Sequence, residues 1–428
     1  MAMRVTQSMM QRSYISQVTK RMADYNQQTL KITTGRAYQK ISENVTDGSR
    51  ALRVREKLYR NEQVQRNIKS INEELTVAEG NLGTVKDVIV QVHADAIKIQ
   101  NGTYNEDEHQ AIATLFDSLK DEILKTSNTS YGEHYVFSGT QNFEPPFSAD
   151  DVTGAISFNG IPVKDIGKYY GQNILTDQGV TVSGNFVYGE EIDPTDPGYD
   201  PLTPKYIKTN NNDFYEIDTD PNTGDPVLNA EGNYTYTDVK GTPQTVDPAS
   251  TLYSIEKVPY SDDIYIDGGL GMIVNGASGL DKKSAIQSNV NGLTAYGYGT
   301  KEVDYISADG NSYHYTLPNN IYEMFDEMST ALRDGDLNRF AALDIQMMDQ
   351  HKELLKEISA LGVRMNYVDT NSERLETENI TLRDLQQSVE GINDPTEITK
   401  QSYSEYAWIL TLQFGSKYLP NTLMDYLG

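Results

Sequence analysis

Residues 68–99 read IKSINEELTVAEGNLGTVKDVIVQVHADAIKI. Apolar residues fall at Ile68, Ile71, Leu75, Ala78, Leu82, Val85, Ile89, Val92, Ala96 and Ile99, in steps that alternate between three and four. That spacing holds one stripe along one side of an α-helix, the seam of a coiled coil. Asn101-Gly102 then stops the helix, the glycine supplying a left-handed cap. A second helix is predicted from about Glu106 to Thr126, with Ile112, Leu115, Leu119 and Ile123 inward. Upstream, Gly35 and the run Ser42–Gly48 break the pattern.

Far along the chain the same spacing returns, through Leu354, Ile358, Leu361, Met365, Val368, Ser372, Leu375, Asn379, Leu382, Gln386 and Val389. Its polar members, Ser372, Asn379 and Gln386, weaken a seam and can fix its register. Gly391 and Asp394-Pro395 close this helix, and a last one runs from about Glu397 to Lys417. Each amphipathic helix needs a partner for its stripe. The simplest partner is the other arm, which sets Ile71, Leu75, Leu82 and Ile89 against Leu354, Leu361, Val368 and Leu375 as the rod core.

Proline separates the arms from the middle. Thirteen of the fifteen prolines lie between Pro145 and Pro318, and none lies in 1–144 or 319–394. Proline removes a helical hydrogen bond and clashes with the preceding turn, so long helices avoid it. Sixteen of the 29 tyrosines also fall in 145–320, among short β-rich stretches such as Ala155–Phe158, Val180–Tyr188, Phe214–Ile217, Tyr234–Val239 and Tyr313–Leu317. Asp193–Pro204 reads as a stiff linker. The fold class is therefore mainly α with an inserted β domain: a long helical coiled-coil rod from both chain ends, plus an outer β domain. The predicted divisions are 1–40 with 391–428 as a terminal assembly segment, 41–142 with 321–390 as the rod, and 143–320 as the insert.

Charge excludes some functions. The chain carries a formal net charge of −26, and an acidic total argues against nucleic acid. No stretch approaches the length of a membrane span, and the start lacks the apolar core of a Sec-type leader. There is no cysteine, so neither disulfides nor thiol chemistry enter. Residues 1–40 are basic, with seven Lys and Arg against Asp24 alone, which fits either an export signal or a helix face that meets an acidic neighbour.

The outermost helices are thin. Ile15, Val18, Met22, Tyr25, Thr29 and Ile32 form the N-terminal stripe. Tyr406, Trp408, Ile409, Leu410, Leu412, Phe414, Tyr418 and Leu419 form a richer C-terminal one. Isolated helices of this kind are marginal in water, so 1–40 and 395–428 are expected to be loose in the monomer and to order on assembly. Met9, Val18, Met22, Tyr25, Ile32, Tyr406, Trp408, Leu410, Phe414 and Leu419 are the expected interface residues.

Chemistry-bearing motifs are few. His93, His109, His134, His314 and His351 do not cluster with acids at catalytic spacing, and His351-Lys-Glu-Leu-Leu lacks the second histidine of a zinc helix. No catalytic residue and no cofactor site is expected. Asp218, Asp220, Asn222 and Asp225 place oxygens as a calcium loop begins, but Gly224 comes one position late and Asn229 stands where a glutamate is needed. An acidic turn between strands explains them as well. Gly362 and Arg364 read as a local helix adjustment with an exposed arginine, or as a subunit contact.

Five elements, in order, resemble the flagellin superfamily and within it the flagellar hook-associated protein 3 family. They are Met3-Arg-Val-Thr-Gln-Ser-Met-Met10, Thr33-Thr-Gly-Arg36, Tyr135-Val-Phe-Ser-Gly139 followed by Pro146-Phe147, Leu361-Gly-Val-Arg-Met-Asn366, and Leu423-Met-Asp-Tyr-Leu427. Ser42–Gly48 and Asp394–Ile398 depart from the family's usual turns. The resemblance implies a non-enzymatic, flagellin-like structural protein of the bacterial flagellum. Such a protein is exported unfolded through the flagellar type III apparatus, and a cytoplasmic chaperone covers its C-terminal segment. It assembles as a ring at the hook–filament junction, with the other junction protein below and flagellin above. Two rival readings are a flagellin that forms the filament itself and an adhesin or hydrolase displayed through residues 143–320.

Overall fold

The computed structural model describes residues 7–418, apart from 103–104, 142, 151–153, 169–173, 176–186, 193–202, 204, 212, 221, 239, 270, 276–278, 282–283 and 308–309. Most of the Asp193–Pro204 run, the opening residues 1–6 and the Leu423–Leu427 ending lie outside the described residues. Seven helices are described: α1 Gln7–Thr34, α2 Val45–Gln100, α3 Glu106–Ser127, α4 Gly292–Tyr296, α5 Ile321–Asp334, α6 Leu337–Glu390 and α7 Asp394–Tyr418. The chain forms two compact units, 1–67 with 371–428 and 68–370. The long helices α2 and α6 contribute to both.

In the larger unit, every predicted seam position of α2 from Ile68 to Ile99 is buried. Leu354, Leu361 and Val368 of α6 are also buried. Polar bonds beside the seam give the register. Asn72 Nδ2 donates to Asp369 Oδ1 at 3.0 Å, and His93 Nδ1 lies 2.8 Å from Asp344 Oδ1. Gln100 Nε2 donates to the other Asp344 oxygen at 3.1 Å. As the numbering rises on α2 it falls on α6, so the two run antiparallel.

α3 starts on a full capping box. The Asn105 side chain accepts from Glu108 N, and the Glu108 carboxylate accepts from Asn105 N, which satisfies two donors the first turn leaves open. Its buried face is Ala113, Phe116, Ile123 and Ser127. Leu115, expected inward, is 39% exposed. Phe116 takes the inward place because its ring stacks on Phe340 and meets Phe325 edge-on, at 6.2 and 6.1 Å between centroids. A larger flat side chain one position on rotates the stripe. Asn320 caps α5, accepting from Tyr322 N and Glu323 N, and Gly335 ends it at φ 73°.

The insert is β, as the tyrosine and proline content predicts. Phe147–Ala149, Ile156–Phe158 and Ile161–Pro162 make a meander, whose Asn159-Gly160 turn has both φ values positive, the hairpin conformation that Asn-Gly favours. A five-stranded sheet runs in the order Ile174–Leu175, Phe214–Glu216, Lys205–Lys208, Leu252–Lys257, Val187–Glu191. One face buries Ile174, Val187, Tyr206, Phe214 and Ile255. The other buries Ile207, Tyr215, Ile217 and Leu252 under the Tyr234–Thr237 and Pro243–Val246 hairpin. Alternation of side chains across each strand produces the two cores.

Glu323 makes the larger unit sensitive to pH. Burial pushes its carboxyl up to about 7, and Glu327, Asp165 and Asp326 add to the shift while Lys164 opposes it. A carboxyl raised in the folded state favours folding while it stays protonated. That contribution is complete below its unfolded value near 4.5 and is lost as pH rises through about 7. Glu323→Gln is therefore expected to stabilise the chain at pH 8 by about 2 kcal/mol and to leave pH 4 stability nearly unchanged. Urea denaturation at the two pH values measures the difference.

In the smaller unit the α2–α6 pairing continues. Arg383 Nη2 lies 3.2 Å from Glu62 Oε1, and Ala51, Val54, Leu375 and Leu382 are buried. The polar members of the seam differ from expectation. Asn371 and Asn379 are buried while Ser372 is exposed, because a straight helix drifts against a strict seven-residue repeat. Asn61 is 5% exposed, and neither of its amide atoms has a hydrogen-bond partner. An unpaired buried amide costs more than an apolar group of the same shape. Asn61→Leu is expected to raise stability by about 1–2 kcal/mol, read as slower hydrogen exchange in 45–67.

α1 and α7 are helices packed on each other, where looseness in the monomer was expected. They run antiparallel. The Tyr25 and Trp408 rings stack at 5.7 Å and 16°, and Gln401 Nε2 donates to Thr29 Oγ1 at 3.3 Å. Near the far end the Tyr14 ring lies directly on Gly415, where any Cβ would collide with it. The α6–α7 break is sharp: α6 ends at Glu390 and α7 begins at Asp394, with Pro395 in its first turn, where a missing N–H costs nothing.

Candidate functional site

The faces with most to bind are those of α1 and α7. Of the expected interface residues, Tyr25 and Trp408 meet each other, and Val18, Ile32 and Leu410 are half-buried. Met9, Met22, Tyr406 and Phe414 face outward at 58, 49, 61 and 55% exposure. Leu419 lies outside the described residues. Ile15 and Leu30 on α1, and Ile398, Tyr403, Ile409 and Leu412 on α7, are also exposed. Sequence reasoning treated α7 as one stripe, but a single partner helix covers only one side of it. The remaining apolar surface suits contact with other chains.

The acidic turn is structured by its own bonds. The Asp218 carboxylate accepts from the Thr235 hydroxyl, and Asp220 Oδ1 accepts from Asn222 N at 2.8 Å. The buried Lys205 ammonium donates to the Gly224 carbonyl inside the turn. A fixed ammonium at that point opposes a dication. Among the described residues no group of three or more His, Asp or Glu side chains is placed to hold a metal.

The long-helix residues carry unexpected pairs. His93, read as a flank position, meets Asp344, whose side chain is 7% exposed. His351 sits nearby, and burial followed by Lys86 and His93 pulls its pKa down. Arg364 is largely buried, 18% exposed, rather than exposed. It reaches the segment packed on α6, donating from Nη1 to the Asn289 carbonyl at 3.0 Å, and lies 4.0 Å from Glu357. Burial draws its pKa down and raises that of Glu357. Gly362 leaves open space around it, and α6 continues through it. Among the described residues no helix is long and apolar enough to cross a membrane.

The chain matches known proteins. Residues 5–142 match the family model for the bacterial flagellin N-terminal helical region. Over 192 residues the chain is 23% identical to flagellar hook-associated protein 3 of Escherichia coli, covering 45% of this chain and 56% of that one. Over 153 residues it is 23% identical to the protein of the same name from Salmonella typhimurium, covering 36% and 48%. The chain is similar to flagellar hook-associated protein 3. It spans about half the length of the curated relatives it matches. Among solved structures, FlgL of Xanthomonas campestris aligns with a TM-score of 0.38 at 16% identity, covering 78% of this chain and 99% of that one. A putative flagellar hook-associated protein from Vibrio parahaemolyticus aligns at 0.43 and 12% identity, covering 82% and 100%.

Proposed function

We propose that this chain is a structural subunit of the bacterial flagellum, an adaptor at the hook–filament junction on which flagellin builds. The sequence likeness to two proteins named flagellar hook-associated protein 3 carries the reading. Its helices supply a physical route. Apolar side chains left outward on α1 and α7 would pack against equivalent helices of neighbouring subunits. Head-to-tail contacts between unlike patches close into a ring or extend as a helix. The subunit sits outside the cell after export through the flagellar type III apparatus, between the other junction protein and the first flagellin. Before export, a cytoplasmic chaperone covers the apolar C-terminal segment around Tyr406 and Phe414. The terminal segments act in assembly, α2 and α6 form the rod, and the insert faces outward. The test is a strain that lacks the chain. Hooks without filaments, with flagellin shed into the medium, are the expected result; intact filaments would refute the junction role and leave a filament flagellin as the better account.

A further inference from the structure

Two connections lead into the terminal helices of the smaller unit: 35–44 between α1 and α2, and 391–393 between α6 and α7. Glu390, the last residue of α6, joins them. Its carbonyl accepts the Ala37 N–H at 2.7 Å, and Arg36 forms an antiparallel bridge with Gly391. Its carboxylate accepts Nε and Nη2 of Arg55 on α2 at 2.6 and 2.5 Å. Arg36 Nε approaches the same carboxylate at 3.8 Å. The Glu390 side chain is 6% exposed. Gly391 leaves no room for alternatives, since a Cβ there would meet the Gln387 carbonyl.

A carboxylate this buried is tolerated only while its partners are in place, and the forked geometry of arginine supplies two parallel bonds. α1 and α7 meet through the Tyr25–Trp408 stack, the Gln401–Thr29 bond and the Tyr14–Gly415 contact, and still expose much of their apolar surface. Fixing both connections at one point raises the effective concentration of each terminal helix for the other.

We propose that Glu390 is a latch: its grip on Arg55, Arg36 and Ala37 sets α1 and α7 side by side in the single chain, and breaking that grip releases the two helices together. Glu390 is a positioning residue here. The latch stands whatever the protein assembles with, and it makes the terminal pair conditional on one ion pair rather than on a partner.

Hydrogen exchange and limited trypsin digestion of the full chain test it, with the parent, Glu390→Gln, Arg55→Met and the double variant. Either single change is expected to speed exchange in α1 and α7 about tenfold or more. It should also open cleavage at Lys20, Lys31 and Lys400 while the amides of 68–99 and 337–370 keep their protection. The double variant is expected to add little to Glu390→Gln, since the Arg55 pair is already lost there. Unchanged α1 and α7 protection in Glu390→Gln overturns the latch. So does a parent whose terminal helices already exchange freely, a double variant whose effects add, or a loss that spreads equally through 68–99.

Discussion

Leu75→Asp is expected to cost about 4–5 kcal/mol, enough to unfold much of the helical core at room temperature. Leu75 is fully buried in a seam whose neighbours Ile71, Ala78 and Leu82 are buried as well. The nearest side-chain donor is already engaged, because Asn72 Nδ2 donates to Asp369 outside the stripe. An aspartate there must either hold a charge in an apolar seam or take up a proton, and it leaves the leucine's volume unfilled in both cases. Leu115→Asp is the matched control. That leucine is 39% exposed, and its replacement is expected to change stability by no more than about 0.5 kcal/mol. Urea denaturation followed by far-ultraviolet circular dichroism reads both. A Leu75→Asp chain that unfolds at the parent's midpoint would remove Leu75 from the core.

The contrast between Leu75 and Leu115 marks what the sequence could tell. A stripe repeated over ten positions averages out local ambiguity, and every member from Ile68 to Ile99 is buried. α3 offers only a few turns, where Leu115 and Phe116 are adjacent and either could face in. The ring contacts with Phe325 and Phe340 decide, and they come from residues more than two hundred positions away. Asn371 against Ser372 is the same ambiguity on α6. The insert was legible as β from its composition and turns, but its strand order was not. Lys205–Lys208 lies between Phe214–Glu216 and Leu252–Lys257, a pairing that local pattern does not encode. Apolar residues at the termini pointed to an interface, and the structure divides them between a mutual contact and an outward face. Glu390 gave no hint in sequence, because an acidic residue at the end of a helix reads as solvated until Arg55 and Arg36 are brought to it.

Gly139→Ala is expected to cost about 3 kcal/mol or more. Gly139 has φ 73°, a left-handed conformation that costs an L-residue about 1–2 kcal/mol. Sterics add to this. A Cβ on Gly139 would run into the carbonyl oxygen of Tyr260, and that oxygen cannot withdraw freely because it accepts the Thr140 N–H at 2.9 Å. Tyr260 is itself held at φ 59°, so its turn has little slack. The neighbouring bonds tie the same point to the rest of the unit. Gly292 N donates to the Phe137 carbonyl at 3.0 Å, and Asn291 Nδ2 donates to the Ser261 carbonyl at 2.8 Å. Gly132→Ala separates the two causes. Gly132 has φ 62° but open space around it, so alanine there pays the conformational term alone, about 1 kcal/mol. Thermal unfolding compares the two variants, and hydrogen exchange at 136–140 and 258–262 locates the damage. Equal losses at Gly132 and Gly139 would show that the Tyr260 turn yields, and that the Tyr135–Gly139 element keeps its glycine for backbone conformation only.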